Sequence, residues 1–224
     1  MKLAIVGYGK MGRLIGQLAP EYGFTLHAAL DVNDHLSKAK GADVAIEFSI
    51  PSAVAGNVER LAALGIPTVV GTTGWLEHLE AVTKAVEKYE TALVWSPNFS
   101  VGVNVFFRVI HEAAKLLANE TEYGAWAWEI HHDSKKDAPS GTMIKLVEEM
   151  KNAGYGRPVD VSSNRAGKHP GTHEIGFDSA ADTITLRHTA RSRDGFARGA
   201  LKAAQWIPGK KGVFRFEEVL FEKR

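Results

Sequence analysis

The sequence predicts an α/β protein in which a doubly wound parallel sheet is interrupted by an inserted α+β unit with a mixed sheet. Three observations predict it. Runs such as LAIV, VAIEF and TVV are apolar at successive positions, as expected of strands covered on both faces of a parallel sheet. Strand-like and helix-like stretches alternate through residues 1–100, the grammar of repeated βαβ units. After about Ser100 the pattern changes to a long helix followed by strands of period two.

The elements follow in order. Strands are expected at Leu3–Val6, Thr25–Leu30, Val44–Phe48, Thr68–Val70 and Ala92–Trp95, with helices near Met11–Ala19, Ala53–Leu64 and Leu76–Tyr89. The link from Asp31 to Asp43 is short for a crossover helix, so that connection is expected to be abbreviated. A helix over Val103–Ala118 leads into the strand AWAWEI, and a further helix over Thr142–Lys151 ends at Asn152-Ala153-Gly154, a C-cap pattern. Strands near Val159–Ser162, Glu174–Phe177 and Thr183–Ala190 complete the insertion. In the last, Ile184, Leu186 and His188 share one face, and Thr185, Arg187 and Thr189 the other. A final helix over Ala197–Trp206 and the tail VFRFEEVLFEKR are expected to return to the first unit. The expected division is residues 1–101 plus 196–224 for the parallel-sheet unit, and 102–195 for the inserted one.

Composition narrows the function. With 224 residues, 45% hydrophobic and 24% charged, the chain has the make-up of an ordinary globular protein. A formal net charge of +1 gives no global attraction to nucleic acid or to an anionic membrane, so an anionic ligand must be held by local cations. No apolar run reaches the ~18 residues a spanning helix needs, and the first residues lack a signal-peptide pattern. Zero cysteines exclude disulfides, thiolate nucleophiles and cysteine-bound metal. The expectation is a cytoplasmic protein without metal, nucleic-acid or membrane partners.

Two segments carry chemistry. In LAIVGYGKMGRLIG, Gly7, Gly9 and Gly12 directly follow a strand and open a helix. This is the context in which three glycines serve a tight turn, approach of backbone to a pyrophosphate, and close helix–strand packing. Helix N-terminal amides then face the phosphates, so a Rossmann-like dinucleotide site is expected. A turn with a purely structural role is the competing reading. Asp31 ends the second strand 19 residues past Gly12, where a carboxylate accepts from ribose hydroxyls and repels a 2′-phosphate. No arginine follows it, which favours NADH over NADPH unless His35, Lys38 or Lys40 reaches round to a phosphate. The loops VVGTTGW and WSPNFSVGVN lie where strands of an open sheet present ligands, though ordinary strand-to-helix turns would look the same.

The second segment is EIHHDSKKDAPSGT, residues 129–142. His131 and His132 start on opposite faces of a strand and reach one side only if the strand ends there. Histidine suits proton transfer near neutrality. Lys135 is placed to donate a proton or to neutralise an anion, whereas Lys136 reads as solvated. Ser140 is a good N-cap, and Gly141 and Thr142 offer helix-start amides that favour a carboxylate. Structural readings compete: Ser140 and Asp137 suit a helix start for stability alone, and a lysine pair is commonly solvated. A metal held by the two histidines with Asp133 and Asp137 fits no familiar ligand spacing. His169, His173 and His188 read as structural or supporting residues.

Taken together, these segments resemble the dihydrodipicolinate reductase family, whose signature runs Glu-x-His-His-x-x-Lys-x-Asp-Ala-Pro-Ser-Gly-Thr. VGTTGW, NFSVGVN, HPGTHEIGF and HTARSRDGFARGALKAAQW look like family blocks in the same order, so the resemblance covers nearly the whole chain. It implies reduction of the cyclic dicarboxylate imine 4-hydroxy-tetrahydrodipicolinate by NAD(P)H in the diaminopimelate route to lysine. It also implies His131 as proton donor/acceptor, Lys135 as proton donor, and His132, Gly141 and Thr142 as substrate contacts. Cofactor contacts are implied at Gly7, Tyr8, Gly9, Lys10, Met11, Gly12, Asp31, Gly71, Thr72, Thr73, Ser96, Pro97, Asn98 and Phe99. A homotetramer built through the second sheet is implied as well. The chain departs from many members in its compact glycine loop, in Lys10 where they carry arginine, in the short stretch after Asp31, and in Ile50 where some carry a cation. Those departures bear on the choice between NADH and NADPH. Competing readings are another NAD(P)-dependent imine or amino-acid dehydrogenase on the same plan, and an NAD-sensing regulator, which would need a basic DNA-reading element that the sequence lacks.

Overall fold

The computed structural model describes residues 1–221; the last three residues of the expected tail, 222–224, lie outside it. The chain divides into two compact units, one of residues 1–101 together with those from Asp194 onward, the other of Gly102–Arg193. The second junction falls two residues ahead of the expected 195/196 because the returning helix already starts at Asp194.

In the first unit a six-stranded parallel sheet is built from β1 (Lys2–Val6), β2 (Thr25–Leu30), β3 (Val44–Glu47), β4 (Thr68–Val70), β5 (Ala92–Trp95) and β10 (Gly212–Arg215). Their order across the sheet is β10-β5-β4-β3-β1-β2, so the winding reverses at β1. Side chains alternate between two buried faces, which is why the strand sequences are apolar throughout. Leu3, Ile5, Ile46, Val69 and Val94 face one layer, with Ile15 of α1 (Lys10–Leu18) and Ala200, Leu201 and Ala204 of α6 (Asp194–Trp206). On the other face, Val70 and Leu93 pack with α2 (Pro51–Ala63) and α3 (Leu79–Lys88). The returning helix is therefore structural, because α6 covers part of one sheet face. As expected, the chain from Asp31 to Asp43 has no full helix. A 3₁₀ turn at Leu36–Ala39 buries Leu36 and Ala39 in its place. The tail supplies a strand not foreseen from sequence, since β10 lies parallel to β5 and α7 (Phe216–Phe221) follows it. Phe216 packs on Phe99 with ring centroids 4.8 Å apart.

The second unit holds α4 (Val101–Leu117, all but its first residue), β6 (Gly124–His131), α5 (Gly141–Asn152), β7 (Val159–Arg165), β8 (Thr172–Asp178) and β9 (Thr183–Thr189). The sheet order is β7-β6-β8-β9, with β6 parallel to β7 and the other pairs antiparallel. One face packs Ala127, Ile175 and Phe177 against Phe106, Phe107 and Ile110 of α4 and Met143, Leu146 and Met150 of α5. The opposite face carries Trp128, Glu174 and Arg187 in one cross-strand row. The two-sided alternation read for the last strand is present, with Leu186 and His188 half-buried and Arg187 and Thr189 exposed.

Candidate active site

The glycine loop lies between β1 and α1 at the reversal of the sheet winding, where open α/β sheets bind ligands. Gly7 has φ +89°, and a Cβ there would stand 2.3 Å from the Phe48 carbonyl oxygen of the neighbouring strand end. A Cβ on Gly12 would meet the Gly7 carbonyl oxygen at 2.3 Å. Both positions therefore admit only glycine without backbone movement. Gly9 is different: no protein atom comes within 4 Å of where its Cβ would be, so internal packing does not require a glycine there. Gly9 is also the N-cap of α1; no side chain caps that helix and no acid stands in its first turn. Bare first-turn amides with a narrow glycine backbone in front of them fit the pyrophosphate of a dinucleotide. Lys10 is exposed, while Tyr8 and Met11 pack partly into the core.

The other sequence-marked positions fall at the same edge of the sheet. Asp31 directly follows β2, its carboxylate accepting from the Val32 amide (2.9 Å), and its own amide donates to Asp34 (2.9 Å). Lys38, a candidate phosphate partner, is paired to Asp34 at 2.6 Å, and His35 faces the Ser37 hydroxyl at 3.2 Å. Gly71, Thr72 and Thr73 follow β4, and Ser96, Pro97, Asn98 and Phe99 follow β5. Thr72 donates to Glu47 at 2.6 Å, and the Phe48 ring lies directly over Gly71. The Ser96 hydroxyl donates to the Asn98 carbonyl (2.8 Å), which sets the turn. Phe99 is 2% exposed with its ring in the core, so only its backbone belongs to the loop surface.

Sequence reasoning missed Glu47. This fully buried carboxyl also accepts from Ser49 and from Asn57 (3.2 Å), tying the loops after β3 and β4 to α2. Burial pushes its pKa up, and the hydrogen bonds only partly offset that.

In the second unit β6 extends through His131, so His131 is buried on the packed face while His132 lies beyond the strand end, its Nδ1 2.8 Å from the Ser134 hydroxyl. The Lys135 ammonium is held by both oxygens of Asp137 at 2.8 and 2.9 Å, and Lys136 is exposed. Hydrogen bonding from Lys135, helped by the Gly141 amide, holds the Asp137 carboxyl below its usual range. The protein's own carboxylate thus sits against the cation and the helix start. Ser140 caps α5 as expected, accepting from the Met143 amide at 3.2 Å, and Gly141 and Thr142 form the first turn.

The centre of this seat is Glu129, which sequence reading treated only as strand. It is fully buried, and strand register explains its company. Ser163 of β7, Glu129 of β6, His173 of β8 and His188 of β9 form one row across the four strands, and His131 is registered with Arg165 in a neighbouring row. Glu129 accepts from the Ser140 amide and the Ser163 hydroxyl, each at 3.0 Å, from Arg165 at 2.9 Å, and from the Ser140 hydroxyl. Burial raises its pKa, but these donors outweigh burial and leave it lowered. Arg165 also donates to the Asp137 carbonyl, pinning the loop that carries Lys135. His131 and His173 lie edge to face with centroids 4.9 Å apart. Burial lowers the pKa of His131, and it lowers that of His173 to about 4.

Ligand atoms of Glu129, His131 and His173 lie within 4.8 Å of one another, a different set from the one weighed from sequence. Its carboxylate is already committed to four donors, one of them a guanidinium, so the arrangement reads first as a hydrogen-bond hub. The period-two spacing of Glu129 and His131 was visible in the sequence; nothing local pointed to Ser163 or Arg165.

A parallel sheet with a glycine loop at its winding reversal, joined to a unit carrying a buried histidine, a lysine and a capped helix start, defines a dinucleotide-dependent oxidoreductase. Comparison with known proteins is specific. Residues 1–99 match the family model described as dihydrodipicolinate reductase, N-terminus, and residues 102–220 the one described as its C-terminus. A 4-hydroxy-tetrahydrodipicolinate reductase of Christiangramia forsetii is 35% identical over 98% of each chain. One from Methanosarcina mazei is 34% identical over 97% of this chain and 88% of its own. The fold is shared with the dipicolinate-bound dihydrodipicolinate reductase from Paenisporosarcina sp. TG-14, at a TM-score of 0.81 and 23% identity, covering 98% of this chain and 99% of that one. The chain belongs to the dihydrodipicolinate reductase family.

Proposed function

We infer that the chain catalyses the NAD(P)H-dependent reduction of 4-hydroxy-tetrahydrodipicolinate to tetrahydrodipicolinate in lysine biosynthesis. One observation carries the reading most directly. The end of β6 brings His131 and the N-terminus of α5 onto the buried Glu129 carboxylate, while Asp137 holds Lys135 beside the same helix start, so proton carriers and an anion site lie together. A dicarboxylate substrate explains why a chain with a net charge of +1 concentrates cations and a helix start there.

In this reading Gly7 to Gly12 hold the pyrophosphate, Asp31 the adenosine ribose, and the loops Gly71–Thr73 and Ser96–Phe99 the nicotinamide end. When bound, NAD(P)H supplies the hydride. The 4-hydroxyl leaves as water to give a conjugated ring imine; hydride at ring carbon then leaves charge on that nitrogen system, and a nearby acid must quench it. Lys135 donates that proton after exchanging Asp137 for a substrate carboxylate, and His131 relays protons beside it. His132 orients the ring, and the amides of Gly141 and Thr142 bind the second carboxylate. NADH is the preferred donor in this reading: the Asp31 and Asp34 carboxylates, close together after β2, would repel a 2′-phosphate, and Lys38 is already paired with Asp34. The open face of the second sheet, with Trp128 and Arg187, joins four copies, and the enzyme works in the cytoplasm. Among the described residues no helix is long and apolar enough to cross a membrane.

The test is a coupled assay in which freshly generated 4-hydroxy-tetrahydrodipicolinate is offered with NADH and NADPH separately, alongside other imino and oxo acids. Oxidation of either cofactor with the pathway intermediate is expected, faster with NADH. Turnover only with a different imine would replace the substrate reading, and a clear NADPH preference would overturn the cofactor reading alone.

A further inference from the structure

The hydrogen bonds of Ser140 and Glu129 constrain the tautomers of the two histidines beside them. The Ser140 hydroxyl has one hydrogen and two lone pairs. Its hydrogen goes to Glu129 Oε2, and one lone pair accepts from the Met143 amide. The remaining neighbour, His173 Nε2 at 3.2 Å, must therefore be a donor. His173 is then the neutral Nε2–H form, and its buried Nδ1, which has no hydrogen-bond partner among the described residues, is a bare lone pair. Charging His173 would turn that atom into an orphaned buried donor, a costlier state.

His131 differs in what its ring faces. Its buried Nδ1 has no hydrogen-bond partner among the described residues, and the Glu129 carboxylate oxygen Oε2 faces it at 3.7 Å. An N–H directed at a carboxylate is favoured over a lone pair directed at one. The other edge of the ring lies against Gly171, where a Cβ would come within 3.0 Å of Nε2. Gly171 also has φ +132°, so glycine is doubly required to leave the Nε2 edge room. The charged groups facing this ring are Glu129 and Asp137, which favour its cationic form, and Lys135 and Arg165, which oppose it, with His173 on β8 beside it.

We propose that Glu129 is a positioning residue for His131: it holds the imidazole in the Nδ1–H form, so that Nε2 alone exchanges protons, while neutral His173 walls the pair and donates to the helix cap. This rests on the reading of His131 as the acid–base group.

The first test needs no variant. With ¹⁵N-labelled histidine at pH 7.5, two-bond ¹H–¹⁵N spectra of the wild-type protein should show His131 protonated at Nδ1 and His173 at Nε2, with His131→Asn and His173→Gln used for assignment. A wild-type His131 protonated at Nε2 overturns the proposal. In Glu129→Gln, checked for folding by circular dichroism, kcat should fall on the order of 100-fold, at the lower end of what general acid–base groups contribute. The His131 titration in the pH profile should move down, because its nearest negative charge is gone. Glu129→Asp, which restores the charge, should recover part of both. A folded Glu129→Gln enzyme with an unchanged profile and kcat overturns the positioning role. Normal turnover by His131→Asn would instead remove the acid–base reading itself, whatever the tautomer.

Discussion

At the carboxyl end of the parallel sheet, contacts are prepared by leaving side chains out. Gly7 and Gly12 have no room for a Cβ, and α1 starts without a capping side chain, so backbone is what the loop presents. The seat in the mixed-sheet unit is prepared by putting side chains in: Ser140, Ser163 and Arg165 converge on the buried Glu129, with His131 and His173 against it. A pyrophosphate needs many weak donors at close range, which backbone supplies without ordering any side chain. Proton transfer needs groups of set charge and tautomer, which only a packed, hydrogen-bonded environment can impose. The two regions should therefore fail differently.

The largest expected effect is at Lys135. Lys135→Ala should lower kcat by roughly 10²- to 10⁴-fold while leaving NADH affinity, measured by fluorescence titration, unchanged. Near-normal turnover would refute the proton-donor role, and a matching loss of NADH affinity would blur the division between the regions.

Next comes acid stability of the seat. Burial lowers the His173 pKa from its ordinary 6.5 to about 4 in the folded chain. The unfolded chain therefore binds more protons between those values, so stability is lost as pH falls from 6.5 toward 4 and no further below. The contribution is roughly 3 kcal/mol, and chemical denaturation of His173→Gln should show a correspondingly flatter acid limb. An unchanged limb would mean His173 is not the titrating group.

Gly12→Ala tests the opposite region. Its Cβ would strike the Gly7 carbonyl, for a cost of about 1–3 kcal/mol in stability and NADH affinity together. The His131 titration should not move; a shift would show that the regions are coupled. The smallest effect is expected at Asp31. Asp31→Ser should move the ratio of kcat/KM for NADH over NADPH toward NADPH by on the order of tenfold, as removal of one nearby charge warrants.

Legibility followed the same division. The parallel sheet, the glycine loop, the Ser140 cap and the abbreviated link after Asp31 were all readable, since each is decided within a few residues by apolar runs, missing side chains or cap chemistry. The sequence by itself also determined that histidine, lysine and a helix start occur together, because His131, Lys135 and Ser140 follow one another in one strand–loop–helix segment. Only the tertiary structure decided how they are held. Ser163, Arg165 and His173 lie 34, 36 and 44 residues from Glu129 in the chain (163 − 129, 165 − 129 and 173 − 129), and no local pattern links them. Register between β6, β7 and β8 brings them into adjacent rows, and register is set by the hydrophobic face of the whole sheet. The same holds for the strand and helix after Gly212, whose place beside β5 depends on a sheet edge formed more than a hundred residues earlier.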